Sequence, residues 1–145
     1  MQYVEAGGTL VVQYNTRNWL SSVPAELGPF PFAITQDRVT DETAEVRFTA
    51  PTSPLLTTPN QLGPADFEGW VQERGLYFAG TWDGRYRTPL SMNDPGEAPL
   101  QGSLLVARHG KGTFVYTGLS FFRQLPAGVP GAYRLLANLL AAHGT

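Results

Sequence analysis

The chain is 145 residues long and 42% hydrophobic, and its ten basic and twelve acidic side chains give a formal net charge of −2. That size and apolar content fit one globular domain over residues 1–145 with a sizeable core, and the scattered Lys and Arg form no basic stripe, so no nucleic-acid partner is expected. Cysteine is absent, which excludes disulfides, thiolate metal sites and a cysteine nucleophile together.

No apolar run approaches the roughly 20 residues of a membrane-spanning helix. The opening MQYVEAGG lacks the basic flank and apolar core of a secretory signal. The chain therefore reads as soluble, with no membrane span and no signal peptide, and its compartment is left open. His109 and His143 stand far apart and in no metal-spaced cluster, so they are expected to decorate a turn and a helix end, and neither a metal nor a cofactor is expected.

In chain order, Met1 to Ala6 read as the last turns of a helix, Gly7 and Gly8 as its left-handed exit, and Thr9 to Tyr14 as a short buried strand. So short a helix stub does not stand alone, and the expectation is a fold truncated at its N-terminal side. A connection rich in Pro, Ser and Gly over Asn15 to Pro31 leads to a strand at Phe32 to Ile34. Thr43 to Thr49 alternates Val46 and Phe48 with Glu45 and Arg47, as a half-exposed strand does. Pro51, Pro54 and Pro59 keep the chain turning until a short helix expected from Asp66 through Gln72, and Leu76 to Ala79 is the next strand.

From Gly102 the pattern is cleaner. Leu104 to Arg108 and Thr113 to Thr117 are strands joined by His109-Gly110-Lys111-Gly112, where the glycines permit a tight hairpin turn. Pro130 opens a final amphipathic helix whose buried face is expected to hold Ala132, Leu135, Leu136, Leu139 and Leu140. Strands and helices mix, and the fold class is α/β.

The stretch from Thr57 to Glu97 crowds Trp70, Trp82, Tyr77 and Tyr86 among acidic and basic side chains. Rings supply area and charges supply direction for a polar ligand, although the same mixture also makes a packed wall. Glu73 and Arg74 follow Trp70 and precede a strand, so they either point into a cleft at a strand end or pair with neighbours. Trp82 and Tyr86, in a loop with Asp83 and two arginines, either stack on a sugar whose hydroxyls the charges bind or fold back over the core. Asp94 and Glu97 flank Pro95-Gly96. A carboxylate pair can serve glycoside hydrolysis, but in so tight a turn Asn93 or Asp94 is expected to bond its own backbone.

Asp37, Asp41 and Glu42 lack the spacing of a calcium loop and are expected in a solvated turn. Gly110-Lys111-Gly112-Thr113 has Leu105 where a phosphate loop needs its first glycine. Phe121, Phe122 and Arg123 read as core phenylalanines or part of an interface, and the Pro and Gly of Leu125 to Gly131 shape the approach to the last helix.

The strings LLTTPNQLGPADFEGWVQERGLYF, SMNDPGE and GSLLVARHGKGTFVYTGLSFFRQLPAGVPGAYRLLANLL, with the opening YVEAGGTLVVQYNT, resemble the C-terminal region of large bacterial proteins of the PIG-L (LmbE-like) deacetylase family. The resemblance covers nearly the whole chain. It implies a class I glutamine amidotransferase-like domain of three-layer flavodoxin type, related to the ThuA-like group, following an upstream deacetylase domain in the parent protein. It brings no catalysis: the PDD-type acidic motif and metal-binding histidines of the deacetylase lie outside this sequence, and amidotransfer needs a cysteine nucleophile.

The expectation is therefore a non-catalytic accessory domain for carbohydrate recognition or docking, with Trp82 and Tyr86 as stacking platforms and Glu73, Arg74 and Asp83 as polar contacts. The alternative is a structural or oligomerisation module with no small ligand, and a third reading is a hydrolase built on Asp94 and Glu97 or on Glu73. A truncated sheet leaves an open strand edge, so a homodimer is also expected.

Overall fold

A computed structural model describes residues 1–15, 24–25 and 27–143, with mixed helix and strand. Its centre is the hairpin read from the sequence: β7 (Leu104–His109) and β8 (Gly112–Thr117) run antiparallel from Leu104 opposite Thr117 to His109 opposite Gly112. Gly110 takes the turn at φ +60°, a conformation glycine adopts without steric cost. β1 (Thr9–Gln13) lies parallel to β8, Thr9 beside Thr113 and Gln13 beside Thr117, so β8 is the middle strand and all six of its residues are buried. Before β1, α1 (Gln2–Glu5) exits through Gly7 at φ +119°.

Strand periodicity divides the interior in two. On one face Val11, Leu104, Val106 and Val115 pack with Ala132, Leu135 and Leu139 of α4 (Pro130–Leu140). On the other, Leu105, Ala107, Phe114 and Tyr116 meet Phe32, Ile34 and Ala79. Those last three belong to a second sheet in which β3 (Phe32–Ile34) lies between β2 (Pro24–Ala25) and β5 (Ala79–Trp82), all antiparallel. The central sheet is thus covered by helix on one side and by sheet on the other.

Four expectations shift. The strand foreseen over Thr43–Thr49 narrows to β4 (Arg47–Phe48), paired with β6 (Leu90–Ser91), because Asp41 draws the preceding residues into a turn by accepting the amide and hydroxyl of Thr43. The strand foreseen over Leu76–Ala79 begins only at Ala79, since Tyr77 is left-handed at φ 57°. The helix foreseen over Asp66–Gln72 is one 3₁₀ turn, Pro64–Phe67, and Gly69 at φ 76° and Gln72 at φ 68° prevent its continuing. Leu140, expected on the buried face of α4, is 60% exposed.

Two short helices complete the frame, α2 (Pro54–Thr57) and α3 (Phe121–Gln124). Asn138, fully buried on α4, ties that helix to α2 and the segment after it by donating to the carbonyls of Leu55 and Asn60, 2.9 Å each, and accepting the Asn60 amide at 2.9 Å. Removing it strands three main-chain groups away from water, and each orphan costs about 1–3 kcal/mol. Asn138→Ala is therefore expected to lower stability by about 3 kcal/mol, read as a drop in the urea midpoint at unchanged slope.

Candidate functional site

β1 and β8 are parallel, so their carboxyl ends open on the same side, the place where open α/β sheets present ligands. Tyr14 follows β1 directly, and Gly118 to Ser120 follow β8. The segment Val71 to Tyr77 is laced against that end: Leu76 N–H donates to Gly118 O at 2.9 Å, and Ser120 N–H donates to Arg74 O at 3.0 Å. Gly75 must stay glycine there, because a Cβ would lie 2.4 Å from the Gly118 carbonyl oxygen. α3 then begins, and its buried Gln124 accepts the Val71 amide at 2.7 Å and donates to the Val71 carbonyl at 2.9 Å.

That lacing sets a compact group of side chains. Glu73, with its side chain 9% exposed, accepts Arg123 Nε at 2.5 Å. The Tyr14 ring lies 4.5 Å from that of Phe122 and 5.4 Å edge-on to that of Tyr77. Burial, then the neighbouring Glu73 carboxylate and Tyr77, push the Tyr14 hydroxyl above its ordinary pKa, with Arg123 pulling the other way. Phe122 is 47% exposed, while its neighbour Phe121 is in the core.

The three non-glycine residues with left-handed backbone among the described residues are Tyr14, Gln72 and Tyr77. Two of them carry this ring cluster and the third precedes Glu73. Such conformations cost about 1–3 kcal/mol each and persist where the surroundings enforce them, often at binding sites. Here the Tyr77 carbonyl is fixed by the Tyr116 hydroxyl at 2.6 Å. Beside Tyr77, a recess of about 260 Å³ is lined by Gln36, Arg38, Leu76 and Tyr77.

The five residues nominated from sequence do not converge. Glu73 alone belongs to the strand-end group. Arg74, next along an extended segment, points the other way and is 5% exposed: Nε and Nη2 donate to the Ala44 carbonyl at 3.0 and 2.8 Å, and Nη1 to that of Phe67. Its guanidinium lies 5.8 Å from the ring centres of both Phe67 and Trp70. Burial lowers its pKa, opposed by the charges of Asp41 and Glu42. Arg74, Phe67 and Trp70 floor a second concavity of about 500 Å³, rimmed by Glu42, Glu45 and Glu68. The two rings are themselves 3% exposed, so they close a wall and offer no open stacking face.

Trp82, Asp83 and Tyr86 lie on the second core. Trp82 ends β5 opposite Phe32 and is half-buried. Tyr86 is 3% exposed, its hydroxyl donating to the Phe30 carbonyl at 2.7 Å, so its ring is core and not a surface platform. Asp83 is gripped by Arg85, Nε to Oδ1 at 2.8 Å and Nη2 to Oδ2 at 3.0 Å; those bonds, with the Arg85 amide, pull its pKa down to about 2. Arg85 lies 3.7 Å over the Phe30 ring.

Of the two residues expected to bond their own turn, Asn93 does so, its Nδ2 donating to the Asp94 carbonyl at 3.0 Å, whereas the Asp94 carboxylate does not. It clamps another loop, accepting the amide and hydroxyl of Thr40 at 3.0 and 2.9 Å and the amide of Asp41 at 2.7 Å. Burial raises its pKa, but these bonds and Arg38 outweigh it and keep the carboxyl below its ordinary value. No cluster of potential metal ligands occurs among the described residues, and no helix among them is long and apolar enough to cross a membrane.

No family model, curated protein or solved structure matches the chain.

Tyr86 gives a test of its placement. Burial pushes its hydroxyl up to about 12 from an ordinary value of 10.0, so between these values the native state holds a proton that the unfolded chain releases. Stability from this group is complete below pH 10 and lost as pH rises through about 12. In alkaline denaturation series, Tyr86→Phe is expected to flatten the decline over that window.

Proposed function

We propose that the chain is a non-catalytic accessory module that recognises carbohydrate at the strand-end group, within a protein resembling the PIG-L (LmbE-like) deacetylases. The observation that carries this reading is the exposed Phe122 ring, which packs on Tyr14 and has the Arg123 guanidinium 4.9 Å from its centre, beside the Glu73 and Arg123 pair. The exposed part of that ring can lie on the apolar face of a sugar, while a carboxylate and a guanidinium exchange hydrogen bonds with its hydroxyls. Phe122 thereby takes the role first given to Trp82 and Tyr86, and Glu73 keeps its own. The absence of cysteine supports a module that binds without amidotransfer.

The parallel β1 and β8 pair, with α4 packed on one face, supports a three-layer, flavodoxin-type core of amidotransferase-like or ThuA-like kind, in which the sheet of β2, β3 and β5 stands where the second helical layer of that fold would lie. The upstream deacetylase domain is the partner that this reading gives the module in its parent protein. A structural module without a small ligand is the second reading, favoured by the edge of β1 with which no strand pairs among the described residues.

Glycan-array screening followed by calorimetry tests the site. Phe122→Ala is expected to weaken the best glycan about tenfold or more, while Trp82→Ala leaves it within about twofold. Unchanged affinity in Phe122→Ala for every glycan bound by the wild type would sink the reading. A wild type that retains none would favour the structural one.

A further inference from the structure

The hydrogen-bond phase of β1 determines what its other edge offers. Thr113 N–H donates to Gly8 O at 3.1 Å, and Tyr14 N–H donates to Thr117 O at 2.8 Å. Groups on successive residues of a strand alternate sides, so Gly8, Leu10, Val12 and Tyr14 direct their amides and carbonyls to β8. Thr9, Val11 and Gln13 direct theirs outward, and among the described residues no strand pairs with that edge.

β1 carries none of the devices that protect an edge: Thr9 to Gln13 contains no charge and no proline, and its register with β8 is unbroken. Leu10, Val11 and Val12 remain half-exposed although each packs against one of the two cores. A strand apolar on both faces belongs inside a sheet.

The helix above extends the same surface. Thr9 Oγ1 donates to the Ala142 carbonyl at 2.6 Å, which puts the end of α4 over the start of β1. At the other end, Tyr133 bonds the Leu125 carbonyl just after α3, and Phe122 of α3 meets Tyr14. α4 therefore runs antiparallel to β1, and each is roughly 16 Å long. Arg134 and Asn138 mark the flank of α4 that faces Asp66 and Asn60. The opposite flank presents Tyr133 at 51% exposure, half-buried Leu136, exposed Ala137 and Leu140 at 60%. None is charged, and helical spacing aligns them past β1, beyond the open edge.

We propose that two copies of the chain pair through β1 in antiparallel fashion about a two-fold axis at Val11, joining their central sheets. The register is self-complementary: Val11 faces its own copy and Thr9 faces Gln13 of the second copy, each pair joining two outward amides to two outward carbonyls, for about six main-chain hydrogen bonds. Leu10 then stands opposite Val12 of the second copy on one face. On the other, the apolar flanks of α4 approach each other across the axis. No charged group on strand or flank opposes its own image, so the symmetric arrangement carries no like-charge penalty.

Sedimentation velocity over a wide concentration range is expected to show a monomer–dimer equilibrium. Leu140→Glu, at an exposed position that leaves the fold intact by circular dichroism, is expected to weaken it about tenfold or more. Because the chain has no cysteine, single cysteines test the register. Val11→Cys brings its own copy to about 5.5 Å between Cα atoms, within disulfide range, whereas Leu10→Cys stands about 8 Å from its copy, outside it. Mild oxidation should cross-link Val11→Cys and spare Leu10→Cys. A monomer at every concentration, a dimer that Leu140→Glu leaves unchanged, or cross-linking of Leu10→Cys as readily as Val11→Cys would each overturn the proposal. Because glycan binding is measured separately, failure here leaves the strand-end reading standing.

Discussion

Everything in this structure hangs on β8. It is bonded along one side to β7 and along the other to β1, and both cores are built on its two faces, Val115 in one and Phe114 and Tyr116 in the other. Burying a strand on both faces satisfies its main chain within the sheet, and its side chains either pack or bond nearby main-chain groups, as Tyr116 does with the Tyr77 carbonyl and Thr117 with that of Ser103. A polar substitution at Phe114 or Val115 would have no solvated side to turn to.

From β8 the site follows by chain connectivity. The strand ends at Thr117, whose hydroxyl donates to Ser103 O and accepts the Leu119 amide, turning the chain sharply into α3. That short helix has no freedom of its own: Gln124 is locked to Val71, and Ser120 to the carbonyls of Glu73 and Arg74. Arg123 thus meets Glu73 because two buried polar anchors beside it fix the helix, and Phe122 is left facing out because Phe121 is drawn into the core. The exposed ring and the charge pair are consequences of the same few buried bonds.

What the sequence disclosed depended on how locally each signal is written. The hairpin at Gly110, the buried face of α4 through Ala132, Leu135 and Leu139, and β1 itself follow from periodicity and turn chemistry, which neighbouring residues determine. The site was harder to see. Glu73 and Arg74 stand side by side in sequence, but an extended chain sends successive side chains to opposite faces, so one reaches Arg123 and the other Ala44 and Phe67. Tyr14 and Tyr77 take left-handed backbone with no glycine or asparagine to announce it, and long-range bonds such as that from the Tyr116 hydroxyl to the Tyr77 carbonyl hold it in place. Tyr86 looked like a loop aromatic, but its hydroxyl is satisfied by Phe30, distant in sequence, so the ring can be buried at little cost.

The open edge and the ring cluster share one strand. Gln13 ends β1 with its main chain directed outward, and Tyr14, the next residue, turns back to bond Thr117 and carries its ring to Phe122 and Tyr77. Fixing Gln13 through a partner strand would restrict the backbone from which the Tyr14 ring projects, and holding that ring under a ligand would restrict Gln13 in turn. Linkage makes such an effect reciprocal: whatever pairing contributes to ligand affinity, ligand contributes to pairing. The left-handed φ of Tyr14 is where the two meet, since it lets one uninterrupted chain direct main-chain groups to an open edge and, a single residue later, a ring to Phe122 and Tyr77.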